Sequence, residues 1–509
     1  MTPDVDIDID IDIDIDVDVA IVGYGPVGTA LAILLAQLGH TVRVLERWPD
    51  PYPLPRAVHF DHEVGRILQS CGIGDELRTV SEPADVYEWR NAAGTTLLRF
   101  GQAGDGPSGW PASSMFNQPM VEQLLDRRAR QVGVDVRRGV EVTGLEQHAG
   151  CVVVSGADGT SVSAHYVVGC DGANSTVRTL AELPMIDLGF FYDWLIVDVA
   201  LDQPRPFDPI NLQICDPARP TTAVSGGPGR RRWEFMRLPN ESLDELNEEK
   251  RAWELLASWD VHPGNAKLER HAVYTFNASY AETWRADRVF LAGDAAHLMP
   301  PFAGQGMCSG LRDAANLAWK LDLVLDDLAS AELLESYQSE RLPSVRAAID
   351  FSMELGKVIC VPDPAEAAAR DEAMAAGVGD EPASAPGLPD ITSGFIHPTA
   401  PHAGRQMVQG KDRGQRFDQA YGNGWRLLLL GTDVECIGRD ERAWFEAIGG
   451  RAVALADPDP FFIRWFEEHQ TTCALQRPDF YLYGTATGAP DATRLLADLR
   501  HHLTKGTTI

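Results

Sequence analysis

A glycine-rich turn near the start of the chain has the residue types and spacing that bind a dinucleotide phosphate. Gly23, Gly25 and Gly28 follow the pattern G-x-G-x-x-G, and Pro26 and Val27 lie between the last two glycines. In this pattern the first glycine permits a tight turn, the second lets a pyrophosphate approach the backbone, and the third lets a helix pack closely on the preceding strand. The turn therefore predicts a nucleotide site.

A carboxylate follows at the distance that such a site requires. Glu46 ends a predicted strand, residues 41–46, where its side chain can accept hydrogen bonds from both hydroxyls of a ribose and would repel a 2′-phosphate. Arg47 comes next, and we expect both residues at the cofactor site. Strand, spacing and acid together favour a bound nucleotide over a glycine turn with only a structural role.

Two later turns that contain glycine and aspartate each follow an apolar strand. Asp171 stands in the first turn, after residues 167–170, with Ser175 and Arg178 beyond it. The second turn precedes the glycine-rich start of a long helix, and its candidate residues are Gly293, Asp294, Pro301, Gly304, Gly306 and Met307. The first glycine motif alone leaves open a nicotinamide dehydrogenase or a flavoprotein, and the later turns favour the flavoprotein.

The elements around these residues predict an α/β fold. A buried strand at 17–22, a helix at 27–38 and the strand at 41–46 form a βαβ unit. Its strands should be parallel and its crossover right-handed. Further strands are predicted at 134–136, 151–155, 165–168, 194–200, 233–237 and 288–291.

The two ends of the chain differ in composition from its middle. Residues 4–18 alternate aspartate with valine or isoleucine, which predicts a frayed acidic tail over residues 1–16 whose end joins the first strand. Residues 361–400 are rich in Ala, Pro, Asp and Gly with little apolar periodicity, which predicts a linker. A small α/β domain is predicted beyond it, at 401–509. Its elements are strands at 425–431 and 480–484 and helices at 441–448 and 492–503.

Composition and charge exclude several classes of partner. The chain has 509 residues, enough for two or three domains, and 44 Lys and Arg against 74 Asp and Glu give a net charge of −30. Such a polyanion would repel nucleic acid and anionic membranes. Its eight cysteines include no C-x-x-C pair or zinc-ligand cluster, and we find no membrane-spanning run or secretory signal. We therefore expect a cytoplasmic protein without a metal.

The three motifs, in this order, resemble those of the aromatic-ring hydroxylases, the single-component FAD monooxygenases of the p-hydroxybenzoate hydroxylase type. The resemblance covers residues 17–350. It implies a Rossmann-like FAD-binding domain interleaved with a β-sheet substrate domain over residues 17–360, with substrate-domain strands at about 85–115 and 185–280. It also implies NADH or NADPH and O₂ as co-substrates. One oxygen atom would enter ortho to the hydroxyl of a phenolic substrate through a flavin C4a-hydroperoxide.

The resemblance also implies the contacts with the cofactor. Asp294 would bind the ribityl hydroxyls of the flavin, and the helix start at 304–307 would present backbone N–H groups to the isoalloxazine ring. Asp171 would touch both FAD and the nicotinamide donor, and Arg56 and Gln118 match further cofactor positions. The segment 401–509 resembles the thioredoxin-like domain appended to phenol hydroxylase. Because it has no C-x-x-C, we expect it to serve packing or homodimer contacts.

Within the family the chain is most similar to the 3-(3-hydroxyphenyl)propionate hydroxylases, which implies a phenolic acid as substrate. A base near the ring hydroxyl would favour the more reactive phenolate. His59 and Tyr192 are the candidates for that role, and His297 is expected to support the Asp294 turn. Arg231 and Arg232 could meet a substrate carboxylate or form a solvated face.

Alternatives remain open for the substrate and for the reaction. A larger, polyketide-like aromatic substrate would keep the reaction. A halogenase or an oxidase would keep the fold, although the sequence has no Trp-x-Trp-x-Ile-Pro stretch of the kind usual in flavin halogenases. A plain NAD-binding dehydrogenase or nucleotide sensor would leave Asp171 and Asp294 without a role.

Overall fold

The computed structural model describes residues 13–101, 104–377 and 387–504. Its first elements form the βαβ unit that the sequence predicts: strand Val17–Val22, helix Pro26–Leu38 and strand Val42–Glu46. The two strands are parallel. Nearly every residue of the first strand is buried and apolar, as expected for a parallel strand covered on both faces.

This unit forms the centre of an eight-stranded sheet, called the parallel sheet below. Strand Ser161–Gly169 pairs in parallel with the first strand and with Val289–Leu291. The turns that carry Asp171 and Asp294 therefore leave the same edge of the sheet as the glycine turn. The main strands lie in the order Arg285–Ala286, Val289–Leu291, Ser161–Gly169, Val17–Val22, Val42–Glu46 and Asp135–Arg138, and Val152–Gly156 and Val142–Gln147 extend the sheet from Ser161–Gly169.

A second eight-stranded sheet, called the antiparallel sheet, alternates with the first along the chain. Its two longest strands, Met185–Leu201 and Ala266–Ala281, pair along nearly their whole length. One neighbouring pair, Tyr87–Arg90 with Asn211–Ile214, is parallel. The strands lie in the order His297–Leu298, Ala266–Ala281, Met185–Leu201, Arg230–Met236, Thr221–Ser225, Asn211–Ile214, Tyr87–Arg90 and Thr96–Phe100.

Helices and one small sheet complete this part of the chain. The long helix Gly306–Leu325 packs against Pro26–Leu38. Strands His59–Asp61, Ser113–Phe116 and Ser81–Pro83 form a three-stranded sheet. The other α-helices described before residue 360 are His62–Ser70, Gly74–Val80, Gln118–Gln131, Thr176–Leu180, Leu243–Leu246, Glu249–Leu256 and Ser336–Ile359.

The C-terminal unit, residues 401–504, has its own four-stranded sheet. The strands lie in the order Arg451–Ala454, Arg426–Leu429, Cys473–Gln476 and Leu482–Ala486, and only the first pair is parallel. Its helices are Phe417–Tyr421, Arg439–Ala447, Pro460–Glu468 and Ala489–Thr504, and a hairpin joins Lys411–Asp412 to Gln415–Arg416. One apolar cluster of this unit includes Trp319 and Leu323 of the long helix, so the unit shares a core with the rest of the chain.

The segment predicted as a linker, residues 361–400, includes a helix, Pro364–Ala375, that the sequence analysis did not predict. Asp363 caps this helix by accepting hydrogen bonds from two backbone N–H groups of its first turn, both at 2.9 Å. Arg370 ties the helix down by donating to the carbonyl oxygen of Cys215 at 2.6 Å. Only Ala367 of this helix is buried, which agrees with the weak apolar periodicity of its sequence. Residues 378–386 of the predicted linker lie outside the described residues.

Only the end of the predicted acidic tail falls within the described residues, because residues 1–12 lie outside them. Asp16 runs beside strand Ser161–Gly169, and its backbone N–H donates to the carbonyl oxygen of Ser163 at 3.1 Å. The Ser163 hydroxyl donates to the carbonyl oxygen of Asp14 at 2.6 Å. Among the helices that the structure describes, none is long and apolar enough to cross a membrane.

Candidate active site

A cavity of about 140 Å³ lies at the carboxyl edge of the parallel sheet, where nucleotides bind in sheets of this kind. The predicted residues that line it are Gly23, Gly25, Pro26, Glu46, Arg47, Arg56, Gln118 and Asp171. The fold therefore brings together residues that are predicted from five separate stretches of sequence.

The three glycines of the first turn are required for different reasons. At Gly23, where φ is +102°, a Cβ would lie 2.4 Å from the carbonyl oxygen of Cys170. At Gly28 it would lie 2.2 Å from the carbonyl oxygen of Gly23. At Gly25 a Cβ would meet no protein atom within 4 Å, although this residue lines the cavity. Two glycines therefore permit the fold, and Gly25 keeps space open for a ligand.

Glu46 is fixed at the end of its strand by two backbone N–H groups. Its Oε2 accepts a hydrogen bond from Tyr24 at 2.8 Å, and its Oε1 accepts one from Trp48 at 2.9 Å. Each carboxylate oxygen has a further lone pair, so Glu46 can still accept hydrogen bonds from a ligand. This geometry holds a negatively charged acceptor where a ribose would lie.

A second cavity, of about 410 Å³, continues from the first at Gly25, Pro26 and Arg56 and reaches the antiparallel sheet. The other predicted residues that line it are Val27, His59, Gln118, Asp294, Pro301, Gly304, Gly306 and Met307. The two cavities form one elongated space with Glu46 toward one end and Asp294 toward the other. This shape and these two carboxylates fit FAD, which has hydroxyl groups on both sides of its pyrophosphate.

A buried ion network holds the Asp294 turn. Asp313, on the long helix, accepts hydrogen bonds from the backbone N–H of Gly293 at 3.1 Å, from His297 Nε2 at 2.7 Å and from Arg341 Nε at 2.9 Å. Burial alone would raise the pKa of Asp313, but His297 and Arg341 hold it below its ordinary value. Asp294 itself is open to the cavity, and desolvation by the surrounding protein raises the pKa of its carboxyl. His297 thus supports the turn as expected.

The helix Gly306–Leu325 begins at the second cavity. Gly304, with φ +62°, turns the chain into this helix, and a Cβ there would lie 2.7 Å from His59 Nδ1. The first N–H groups of a helix have no partner within it, and the helix dipole places partial positive charge there. Because Gly306 and Met307 line the cavity, this helix end can stabilise negative charge on a bound group.

Arg312 braces the start of this helix against the small three-stranded sheet and the helix that follows it. Its guanidinium donates to Gln305 Oε1 at 3.0 Å, to Asp61 Oδ2 at 2.6 Å and to Glu63 Oε2 at 2.5 Å. Burial would lower the pKa of Arg312, but the two carboxylates raise it well above its ordinary value. Arg312 is therefore a positioning residue for the helix start.

Gln118 and Asp171 line the first cavity, and both also accept hydrogen bonds from other groups of the protein. Gln118 Oε1 accepts a hydrogen bond from the backbone N–H of Arg56 at 3.1 Å, which fixes the segment that carries this arginine. Asp171 accepts from the Ser175 hydroxyl at 2.5 Å and from the backbone N–H of Thr176 at 2.7 Å. Its predicted contacts with FAD and the nicotinamide donor stay predictions.

The two catalytic candidates lie in different surroundings. His59 lines the second cavity, its Nδ1 lies 3.3 Å from the carbonyl oxygen of Gly304, and burial lowers its pKa. Tyr192 packs on Phe190 with ring centroids 5.2 Å apart, and Phe190 lies 6.3 Å from Phe302 in the cavity wall. Burial raises the pKa of Tyr192. Only His59 of this pair borders the second cavity.

Sequence reasoning missed the polar wall that the antiparallel sheet contributes to the second cavity. Tyr87, Asn211, Thr222 and Glu234 come from four different strands and line this wall. Because these strands meet through pairing between distant parts of the chain, no local motif marks them. The sequence signal that could have found Glu234 is alternation along its strand, which places residues 232 and 234 on one face of the sheet and residues 231 and 233 on the other.

Of the two alternatives for Arg231 and Arg232, the solvated face is wrong, because both side chains are buried. Arg232 lines the cavity, but it binds both carboxylate oxygens of Asp198, at 2.7 and 2.9 Å, and donates to the carbonyl oxygen of Arg56 at 2.6 Å. Arg231 donates to the carbonyl oxygen of Ile210 at 2.5 Å. Protein groups therefore occupy most of the donors of Arg232.

A third cavity, of about 520 Å³, adjoins the second at His59, Tyr87 and Phe302. Trp89 and Phe351 are among its apolar lining residues, and its polar lining residues include Arg312 and the three residues that Arg312 binds, Asp61, Glu63 and Gln305. The C-terminal unit borders it as well. This cavity extends the space available beside the second one.

Comparison with known proteins identifies the family. A family model described as an FAD binding domain matches residues 16–352. A probable NADH-specific resorcinol 4-hydroxylase of Rhodococcus jostii (strain RHA1) is 38% identical over 499 residues, 94% of each chain. The chain belongs to the FAD-dependent aromatic hydroxylases. This hydroxylase accordingly uses FAD, with a reduced nicotinamide and O₂ as co-substrates, and the predicted family is confirmed.

Other relatives of the hydroxylase agree with this membership. A 3-(3-hydroxy-phenyl)propionate/3-hydroxycinnamic acid hydroxylase of Mycobacterium sp. (strain KMS) is 33% identical over 529 residues, 96% of this chain and 91% of that protein. This identity is lower than the identity to the resorcinol hydroxylase. The sequence-based preference for the propionate hydroxylases therefore does not by itself identify the substrate.

Solved structures show the same fold along nearly the whole chain. The aklavinone-11 hydroxylase, in complex with FAD and aklavinone, has a TM-score of 0.78 at 24% identity and covers 97% of this chain and 100% of its own. The OxyS anhydrotetracycline hydroxylase of Streptomyces rimosus has a TM-score of 0.73 at 26% identity. The match covers 96% of this chain and 99% of that chain. The C-terminal unit is therefore part of the shared architecture.

Proposed function

We propose that this hydroxylase uses NADH and bound FAD to insert one oxygen atom of O₂ ortho to the hydroxyl of a small phenol. The observation that carries the proposal is the second cavity, which joins Asp294 and the start of helix Gly306–Leu325 to a polar wall of the antiparallel sheet. A ring bound against that wall would lie beside the cofactor. The preference for NADH rests on the relative that is named NADH-specific.

The chain's own residues would hold the cofactor. Glu46 would bind ribose hydroxyls, Gly25 would leave room for the pyrophosphate, and Asp294 would bind ribityl hydroxyls. The positive start of helix Gly306–Leu325 would stabilise negative charge beside the ring system. Bound FAD supplies hydride acceptance from the nicotinamide and the activation of O₂.

His59 is the residue that we assign to the phenol proton. When its Nδ1–H donates to the carbonyl oxygen of Gly304, Nε2 holds the free lone pair. Because burial lowers its pKa, the imidazole is neutral near pH 7 and can accept a proton. The resulting phenolate is rich in electron density at its ortho and para carbons, and we propose that the ortho carbon reacts. Tyr192 stays the second candidate for this role.

Two kinds of small phenol agree with the names of the relatives. One is a phenolic acid related to 3-(3-hydroxyphenyl)propionate, and the other is a dihydroxybenzene such as resorcinol. The third cavity favours a further candidate, a larger polyketide-like aromatic, because it adds about 520 Å³ beside the second cavity. A substrate panel that contains all three classes distinguishes them.

We also propose that the C-terminal unit is thioredoxin-like and serves packing or homodimer contacts without redox chemistry. The strand order of its sheet supports this fold. Numbered along the chain, the four strands lie in the order second, first, third and fourth, and only the pair Arg426–Leu429 with Arg451–Ala454 is parallel. Cys436 is exposed and Cys473 is buried, and both are free thiols. Phe461 and Ile463 are exposed apolar side chains in the first turns of helix Pro460–Glu468.

A phenol panel tests the proposed reaction on purified holoenzyme. Small phenols should stimulate NADH oxidation, and NMR of the product should place a new hydroxyl beside the original one in a one-to-one ratio with NADH. Stimulated NADH oxidation that yields only hydrogen peroxide, or a hydroxyl solely at the para carbon, would contradict the proposal. Preference for NADPH would overturn the donor assignment alone.

A further inference from the structure

Glu234 is an acidic side chain in the wall that the antiparallel sheet presents to the second cavity. It is only 7% exposed, and its sheet partner across the strand pair is Thr222, which lines the same wall. Burial raises the pKa of its carboxyl. The neighbouring Tyr87 and Asn211 are neutral and polar. The wall therefore presents one acidic group among neutral hydrogen-bonding groups.

The arginines near Glu234 already have carboxylate partners. Arg232 Nη1 lies 3.8 Å from Glu234 Oε1, but both carboxylate oxygens of Asp198 bind this arginine at shorter distances. Arg270 Nη1 lies 3.9 Å from Asp198 and donates to the carbonyl oxygen of Pro55. Two acidic groups thus balance two arginines. A carboxylate on a bound substrate would add an uncompensated negative charge to this buried cluster.

Arg56 is the other arginine that lines this cavity. Arg56 borders the first cavity as well as the second, and its guanidinium lies 4.6 Å from the ring centroid of Tyr52. In the part of the chain that the structure describes, the second cavity has no further arginine or lysine among its lining residues. The wall residues Tyr87, Asn211, Thr222 and Glu234 therefore offer an acidic acceptor to a hydroxyl, and none of them is a cation that could bind a carboxylate.

We propose that Glu234 determines substrate specificity by accepting a hydrogen bond from a second ring hydroxyl, so that the enzyme binds neutral dihydroxybenzenes and rejects phenolic carboxylates. This inference rests on the proposed function, and it chooses between the two kinds of small phenol named there. A hydroxyl that donates to a carboxylate gains a charge-assisted bond, whereas a substrate carboxylate meets like charge. Selectivity would come from both effects.

Isothermal titration of oxidised holoenzyme without NADH measures this selectivity in the absence of turnover. The probes are resorcinol, phenol, which has no second hydroxyl, and 3-hydroxybenzoate, which replaces that hydroxyl with a carboxylate. For the wild type we expect resorcinol to bind about tenfold or more tightly than phenol, as expected for a hydrogen bond to a charged group, and 3-hydroxybenzoate to bind most weakly.

Two substitutions separate the hydrogen bond from the charge. Glu234→Leu should remove the advantage of resorcinol over phenol. Glu234→Gln keeps the shape and removes the charge, and it should strengthen 3-hydroxybenzoate binding about tenfold, because one arginine then lacks its counter-ion. Glu269→Gln is the matched control: Glu269 pairs with Arg230 on the same sheet and lines none of the three cavities, so the order of affinities should stay unchanged.

The outcomes distinguish this inference from the proposed function. Equal affinities of the wild type for resorcinol and phenol, or tighter binding of 3-hydroxybenzoate than of resorcinol, would overturn the role of Glu234 even if phenols are hydroxylated. An unchanged resorcinol advantage in Glu234→Leu that retains FAD would do the same. If no phenol yields an oxygenated product, the proposed function fails. If Glu234→Leu does not fold, Glu234→Gln decides the inference, and an unchanged affinity of that variant for 3-hydroxybenzoate would overturn it.

Discussion

His59 and Asp294 line the same cavity, and desolvation by the surrounding protein favours the neutral form of both. It lowers the pKa of the histidine and raises that of the carboxyl. For His59 the neutral form is the one that can accept a proton. For Asp294, hydroxyl groups of a bound flavin would replace lost hydration and favour the ionised acceptor.

We predict that Asp294→Ala lowers the FAD content of the purified protein. The ribityl hydroxyls would lose a charged acceptor that contributes roughly 1.5 to 3 kcal/mol to binding. Flavin absorbance per protein measures the occupancy, and circular dichroism checks the fold. Full FAD content in a folded Asp294→Ala protein would show that this carboxylate does not hold the cofactor.

We predict that His59→Ala lowers the hydroxylation rate on the order of 10²-fold while FAD remains bound, because the phenol would lose its proton acceptor. The loss should shrink at high pH, where the phenol ionises unaided. Since the pKa of His59 is lowered, the wild-type rate should fall only below about pH 6.5, as the imidazole becomes protonated. Tyr192→Phe is the parallel test, and a larger loss in that variant would move the base role to Tyr192.

The site residues fall into two groups by how far a sequence can predict them. Gly23, Gly25 and Glu46 act through one short βαβ unit, so their spacing predicts their place. Glu234 lies on a strand that pairs with its neighbour in sequence, Thr221–Ser225, but the wall around it also includes Tyr87 from a distant strand. Alternation along the strand indicates which face Glu234 is on, but not that this face borders the cavity. Local sequence patterns therefore cannot predict which residues of this sheet face the cavity, because its strands come from separate parts of the chain.

Among the elements, the first turn offers a test that separates folding from ligand binding. We predict that Gly25→Ala folds with nearly wild-type apoprotein stability but binds FAD more weakly, because the added methyl group meets no protein atom and enters ligand space. Its φ of −76° suits alanine.

The control for this prediction is Gly28→Ala, whose methyl group would lie 2.2 Å from a backbone oxygen. This substitution should lower the melting temperature of the apoprotein as well as its FAD content. Thermal unfolding and flavin titration of both variants provide the comparison. Unimpaired FAD affinity in Gly25→Ala would contradict the placement of the pyrophosphate.

The helix Pro364–Ala375 shows why some elements escape prediction. Its start carries a clear local signal, because Asp363 can cap a helix and Pro364 suits the first helical position. Apolar periodicity, which locates buried helices, is weak here because only one residue is buried. A surface helix rich in alanine is therefore predictable from its cap and its propensity but not from a buried stripe.

At the scale of the whole molecule, two buried arginines fasten the C-terminal unit to the flavin-binding part. Arg66 binds both carboxylate oxygens of Asp418, at 2.6 and 2.8 Å. Arg477 binds Glu340 of the helix Ser336–Ile359 at 2.6 Å. Burial alone would raise the pKa of Glu340, but Arg477 and Lys320 hold it at about 2. The 352 positions between Arg66 and Asp418 explain why the sequence predicts the C-terminal elements but not how they dock.

We predict that Arg477→Met lowers the free energy of unfolding by about 3 to 5 kcal/mol, because it leaves buried carboxylates without their cation. Arg494→Met is the control: Arg494 pairs with Asp491 on an exposed helix face, so its loss should change stability by less than about 1 kcal/mol. Denaturant unfolding measures both. Similar stabilities of the two variants would show that the buried cluster does not fasten the unit.

Oxygen labelling of the product tests the central claim that this chain is a phenol hydroxylase. Holoenzyme turning over a small phenol with NADH under ¹⁸O₂ should give a product with one labelled oxygen, placed beside the original hydroxyl. The same reaction with ordinary O₂ in labelled water should give no label. An unlabelled product under ¹⁸O₂, or hydrogen peroxide alone across the whole phenol panel, would contradict the account.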